Sequence, residues 1–201
     1  MIPDDFTRRL RVCRWGALLA LLTILFGFGF GGAFGAFEES MKQGLADRAA
    51  AVLDTVYEGN AAKAKSVVDK SWVYYKRAHL HGGAIGAVAL GSILLLAALR
   101  SPPDPVRRGV SLGLGAGGLG YSVFWMLAAR AAPGLGGTGP AKESLSWLAV
   151  PSAGLLLLGL VAVIGLTAIE LFRPASTPLE PSARDRPVSR SVQDADDVKT
   201  L

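Results

Sequence analysis

The chain has 201 residues, 51% hydrophobic and only 18% charged, against about 25% charged in a soluble domain. Its apolar residues are gathered into long blocks, which excludes an ordinary soluble globular class and points to a membrane. The net charge of +5 comes from basic residues flanking those blocks, where they orient the chain in a bilayer, so no nucleic-acid partner is expected.

Residues 1–14 form a basic lead with Arg8, Arg9, Arg11 and Arg14. The single cysteine, Cys13, excludes an intramolecular disulfide. Among these arginines it reads as a free thiol on the reducing side of the membrane, or as a lipidation site in a eukaryotic host. Residues 15–37 carry no charge over 23 positions, where a span needs roughly 20, and make the first transmembrane helix. The block exceeds the roughly 7–15 residues of a signal-peptide core, so it reads as an uncleaved anchor.

Residues 38–81 are expected to form an extracytoplasmic helical hairpin. Leu45, Ala49, Val52 and Val56 make one helical stripe, and Ala64, Val68, Trp72 and Tyr75 another. Gly59-Asn60 between them is a turn signal. The first arm holds five acidic residues against two basic, and the second five basic against one acidic. Opposite charge on facing arms favours their pairing, although each exposed pair contributes only about 0–1 kcal/mol. The same stripes also suit two helices lying flat on the membrane surface.

Three more apolar blocks follow, uncharged over 82–99, 109–129 and 147–169. Residues 82–99 make the second span. Residues 109–130 make the third, whose apolarity is diluted by six glycines over 109–129. Residues 147–172 make the fourth, with Glu170 near its end and Arg173 as the expected partner. The 100–108 loop carries three arginines, whereas the 131–146 loop is Gly- and Pro-rich and poor in basic residues. By the positive-inside rule both termini and the 100–108 loop are cytoplasmic, and residues 38–81 and 131–146 face outward. In the second outward loop Thr138 or Ser144 is expected to cap the lead into the fourth span, and Pro140 suits a helix start. The 173–201 tail has four prolines and almost no apolar residues, and is expected to be disordered. The fold class expected is therefore all-α: an integral membrane four-helix bundle whose first two helices extend outside the membrane.

Only two histidines occur, His79 and His81. With a turn at 59–60, facing positions of the hairpin sum to about 119 at a 1.5 Å rise per residue. Glu38 then lies level with His81, and Glu39 close by. Imidazole with carboxylate suits zinc, copper, iron or manganese, so His79, His81, Glu38 and Glu39 form a candidate metal site at the outer interface, and Lys142 and Glu143 are expected near its level. Residues two apart on a helix point about 200° from each other, so both imidazoles reach one ion only if Gly82-Gly83 breaks the helix. The alternative is that the histidines anchor a helix end at the headgroups, with acidic counter-charges.

The segment HLHGGAIG (79–86) also resembles the helix of haem–copper oxidase catalytic subunits that supplies a low-spin haem ligand. That resemblance implies a haem, with Met126 or another subunit's histidine as second ligand. The family's remaining histidines have no counterpart.

No enzyme signature is present. The glycines of GLGAGGLG (113–120) lie inside an apolar block without a following Lys-Ser/Thr, so they are no P-loop. No charge lies in the middle of a span, as ion-coupled transporters require. Instead, small residues recur every four positions: Gly27, Gly31, Gly35; Gly83, Ala87, Gly91; and Gly109, Gly113, Gly117. Such ridges let helix backbones approach closely, either within the bundle or against a partner. The function expected is a non-catalytic accessory or scaffold subunit of a bacterial inner-membrane complex, as a homo-oligomer or with other membrane subunits. The alternative is a metal- or haem-handling redox protein.

Overall fold

A computed structural model describes residues 4–173. The expected disordered tail falls, from residue 174 onward, outside the described residues. Among those described, every regular element is helical: α1 (Asp4–Val12), α2 (Arg14–Ala50), α3 (Leu53–Val56), α4 (Ala61–Ala98), α5 (Asp104–Ala131), α6 (Thr138–Ser144) and α7 (Ser146–Phe172). Four of them, α2, α4, α5 and α7, are long and apolar enough to cross a membrane. Each holds one of the four uncharged blocks. The loop expected at 100–108 is shorter, because α5 already starts at Asp104 behind Pro103, with a proline in its first turn and an acid at its positive end.

Helix α4 packs along α2 on one side and α5 on the other, and α5 packs in turn on α7 and on α2. Small residues make these approaches possible. Gly27 of α2 meets the backbone of Gly82 and Gly83. Gly115 of α5 meets Gly16, and a side chain at Gly117 would lie 2.7 Å from the Leu156 amide of α7. Three buried hydroxyls are satisfied within their own helices: Thr23 donates to Leu19 O at 2.8 Å, Ser71 to Val67 O at 2.7 Å and Ser122 to Gly118 O at 2.9 Å. Helix α7 lies at the edge and turns bulky side chains outward, Leu158 at 71% and Ile164 at 68% exposure among them. An exposed apolar face of that kind is what lipid covers.

Helices α2 and α4 continue past their apolar blocks into the two arms of the hairpin. Helix α2 bends once, at Phe37, where φ −134° and ψ 19° leave the helical region. The bend follows Gly31, Gly32 and Gly35, which hold a helix weakly. The arms do not lie apart. Leu45, Ala49, Ala64 and Val67 are buried at their seam. The ion pairs, however, run within each arm and not between them: Lys42 with Glu38 and Glu39, and Lys65 with Asp69. The opposite charges of the arms therefore do not lock them residue to residue; apolar burial does.

The reversal is wider than a two-residue turn. Helix α2 ends at Ala50, the short α3 crosses over, and Glu58 (φ 56°) and Gly59 (φ 74°) turn the chain in the left-handed region. Asn60 then caps α4 by accepting the Lys63 amide at 2.9 Å. The tip is tied down by Tyr57, which is 1% exposed and donates its hydroxyl to Pro133 O at 2.6 Å. Val56 fills the space beside Gly136, whose φ of 75° also demands glycine.

At the opposite end the chain is closed by Arg107, which is 1% exposed. Its guanidinium donates to the carbonyls of Leu96, Leu99 (2.8 Å) and Arg100 (3.3 Å), the groups that the end of α4 leaves without helical partners. Glu170 completes this end differently from expectation. It accepts the backbone amides of Arg100 at 3.0 Å and Ser101 at 2.9 Å, instead of pairing with Arg173. Cys13 is fully buried against this corner, with its thiol 3.9 Å from Arg107 O. Burial raises the thiol pKa, opposed by a hydrogen bond with Ser111. A buried neutral thiol is a packing group, not an acceptor for lipidation.

Arg107→Ala strands two buried carbonyls and a partly buried third. At about 1–3 kcal/mol for each unmet buried group, the variant is expected to lose about 3 kcal/mol or more in unfolding titrations in mild detergent. A loss under about 0.5 kcal/mol would contradict this role.

Candidate functional site

The four residues of the expected metal site are set apart by the register of α2 against α4. Gly27 meets Gly83 and Gly31 meets His79, so facing positions sum to 110, not 119. The physical cause is the wide reversal: residues 51–60 are all used in turning, which centres the turn near residue 55. Glu38 therefore faces Trp72, and His81 lies nine positions further along α4. At 1.5 Å per residue that is a separation of about 14 Å.

Each residue has its own local partners. Glu38 and Glu39 hold the Lys42 ammonium at 2.6 Å and 3.3 Å, and the same ammonium lies 5.3 Å from the centre of the Trp72 ring. These carboxylates raise the Lys42 pKa, Glu38 most strongly. His79 Nδ1 sits 2.7 Å from Gly27 O, and since that oxygen is an acceptor, Nδ1 carries the proton. His81 lies against Tyr121 and Trp125 of α5, with ring centres at 5.6 Å and 5.9 Å. Helix α4 has no break at Gly82-Gly83, which are instead the seat of Gly27. The two imidazoles consequently point to different neighbours, as residues two apart on a helix must. Among the described residues no group of three or more His, Cys, Asp or Glu is placed to hold a metal ion. Met126, the haem ligand implied by the oxidase resemblance, lines a separate cleft with Phe30, Tyr75 and Arg130.

What the histidines do join is a belt of aromatic rings. On α2, Phe26 stacks on Phe30 at 5.6 Å, and Phe34 meets Phe30 at a tilt at 5.0 Å. Tyr75 meets Phe30 edge-on at 5.4 Å, and His79 meets Phe34 at 5.7 Å. Across α4, Tyr74 meets Trp125 at 4.8 Å, and the Arg77 guanidinium lies 5.2 Å and 5.1 Å from the centres of these two rings. Edge-to-face pairs and cation–π contacts of this kind hold α2, α4 and α5 together beyond simple burial. His79 and His81 thus sit in the middle of α4 among aromatic rings, while Glu38 and Glu39, expected beside them either as fellow metal ligands or as counter-charges at a helix end, hold Lys42 instead.

The small-residue ridges divide into two kinds. Gly27, Gly31 and Gly117 face neighbouring backbone or rings, and Gly113 is in ordinary contact with Leu155. Gly35, Gly83, Gly91 and Gly109 meet nothing where a side chain would start. In the second loop, α6 starts behind Gly137 and α7 behind Leu145, both without a side-chain cap. Pro140 does sit in the first turn of α6, but Thr138 and Ser144 cap neither helix, and Ser144 donates to Ala141 O at 3.0 Å. Lys142 and Glu143 follow Ala141, which is buried with Ala49, Tyr57 and Ala64 at the hairpin tip, well away from the histidines.

Three structural contacts were not foreseen from sequence: the Arg107 cap, the Glu170 clasp and the Tyr57–Pro133 tie. Arg107 stands three residues after Asp104 in the first turn of α5, a place where an arginine usually serves orientation. No protein-family model, curated protein or solved structure matches the chain.

If His79 is a structural donor to Gly27 and His81 a ring in the belt, their replacements differ. His79→Phe is expected to cost about 1 kcal/mol through the lost hydrogen bond, and His81→Phe less than half of that, in unfolding titrations in detergent. Equal, larger losses, with added zinc stabilising wild type and neither variant, would point back to a shared metal site.

Proposed function

We propose that the protein is a non-catalytic multi-pass membrane protein of a bacterial inner membrane, acting as an accessory or scaffold subunit through its helix faces. In this reading α2, α4, α5 and α7 cross the bilayer. The hairpin of residues 38–81 and the 131–146 segment face the periplasm, and both termini face the cytoplasm. The arginines at 8, 9, 11, 14, 100, 107 and 108 gather at one end of the helices, which supports that orientation.

The observation that carries the reading is the open ridge on α4. Gly83, Ala87 and Gly91 lie four residues apart. The two glycines have open space where a side chain would start, and Ala87 and Gly91 are exposed. Helix α7, by contrast, shows lipid a face of Leu, Val and Ile. Lipid tails gain little from a row of glycines, whereas a partner helix gains close backbone contact from it. That partner is a second copy of this chain or a helix of another subunit.

Gly83→Leu/Gly91→Leu is expected to abolish oligomer or partner recovery in mild detergent while leaving helical content unchanged. A Gly91→Cys variant in a Cys13→Ser background is expected to give a discrete cross-linked species in native membranes. A monodisperse wild-type monomer, with no cross-linked species in cells, would sink the proposal.

A further inference from the structure

At the arginine-rich end, α1 lies across the base of the bundle and meets both α4 and α5. Between α1, the start of α2 and the start of α5 is a recess of about 460 Å³, lined by Arg8, Arg11, Val12, Arg14, Trp15 and Arg108. Its four charged lining groups are all guanidinium. Arg8 is paired with Asp104 at 3.1 Å, on the surface. Arg11, Arg14 and Arg108 have no ion pair among the described residues. Three uncompensated like charges around one concavity repel one another, and an anion seated there relieves the repulsion.

The rest of the lining says which anion. Trp15 is 57% exposed and opens the uncharged run of α2. Arg14 stands over its ring at 5.7 Å. The recess is thus cationic at one edge and apolar at the other, where the span begins. That polarity matches a molecule whose charged head sits among arginines while its chain runs down beside a helix. Guanidinium groups hold phosphate by paired hydrogen bonds as well as charge. The larger cleft near the hairpin, about 640 Å³, is a poorer fit, because Asp47 lines it beside Arg48 and Arg130.

We infer that the Arg11–Arg14–Arg108 recess binds the phosphate headgroup of an anionic phospholipid of the cytoplasmic leaflet, with an acyl chain against Trp15. The inference rests on the four-span reading. Bound lipid fastens α1 to the membrane surface and holds the start of α5 against α2.

The test is native mass spectrometry of the full chain in mild detergent with dioleoylphosphatidylglycerol, dioleoylphosphatidylethanolamine or inorganic phosphate added. A basic residue near an anionic surface is worth about fivefold in binding, so Arg11→Gln/Arg108→Gln is expected to retain phosphatidylglycerol about twentyfold less than wild type. That pair leaves Arg8, Arg9, Arg14, Arg100 and Arg107 to orient the chain. Arg48→Gln/Arg130→Gln is expected to bind as wild type does. Equal retention of phosphatidylethanolamine by wild type, unchanged retention by Arg11→Gln/Arg108→Gln, or loss only in Arg48→Gln/Arg130→Gln would each overturn the site. Competition by millimolar inorganic phosphate would overturn the lipid in favour of a free anion. Should the arginine variant fail to fold, wild type in rising ammonium acetate decides: retention must fall with salt, and retention that does not fall overturns the site. Alkaline carbonate extraction of the same membranes tests the four-span reading separately, since release of the chain would refute the spans without touching the detergent result.

Discussion

At Gly27 the backbones of α2 and α4 meet with no side chain between them. Glycine on both helices is what allows the approach, and the approach fixes how one helix slides along the other. Everything above it follows that register. Phe30 and Phe34 come level with Tyr75 and His79, Lys42 comes over Trp72, and Ala49 comes against Ala64. The same register carries Glu38 past the histidines to the level of Trp72. A site composed on paper from four polar residues is thereby divided between an aromatic belt and a solvated lysine–glutamate cluster.

The two ends of the helix pair are closed by different means. At the hairpin end, where water reaches the backbone, a left-handed Glu58-Gly59, the Asn60 cap and the Tyr57 hydroxyl complete the turn. At the arginine end the last carbonyls of α4 are met by a buried guanidinium, and the free amides of Arg100 and Ser101 by the Glu170 carboxylate. Hydrogen bonds to a charged group are stronger than neutral ones, and leaving the buried carbonyls of Leu96 and Leu99 unmet would be costly. These two charges therefore act as caps. Of the remaining arginines at that end, Arg8, Arg11, Arg14 and Arg108 line the recess.

Much of the architecture could be read from the sequence because bilayer thickness sets a length and apolarity fills it. The four blocks beginning at Trp15, Gly82, Gly109 and Trp147 each lie in one long helix, and the stripes of Leu45 and Ala64 do face one another. What could not be read was register. A turn at Gly59-Asn60 and a reversal beginning at Ala51 give the same two helices, yet differ by nine in the facing sum. That difference decides whether His81 meets Glu38 or Tyr121. Charge misled for a related reason: Lys42 and Lys65 found acids one turn away on their own helices, closer than any on the opposite arm. The ridges were legible as ridges, but periodicity alone does not say that Gly27 faces inward while Gly91 faces out.

The register of the hairpin is thus the claim on which the separation of the histidines from the carboxylates stands. Engineered cysteine pairs measure it directly in a Cys13→Ser background. Ala50 and Ala61 line one groove at the hairpin seam, while Asp69 lies eight residues, about 12 Å, further along α4, beyond the roughly 7 Å that a disulfide can bridge between Cα atoms. Mild oxidation is expected to close Ala50→Cys with Ala61→Cys quickly and to leave Ala50→Cys with Asp69→Cys reduced. Closure of the second pair and not the first would restore the tighter turn and bring Glu38 back level with His81.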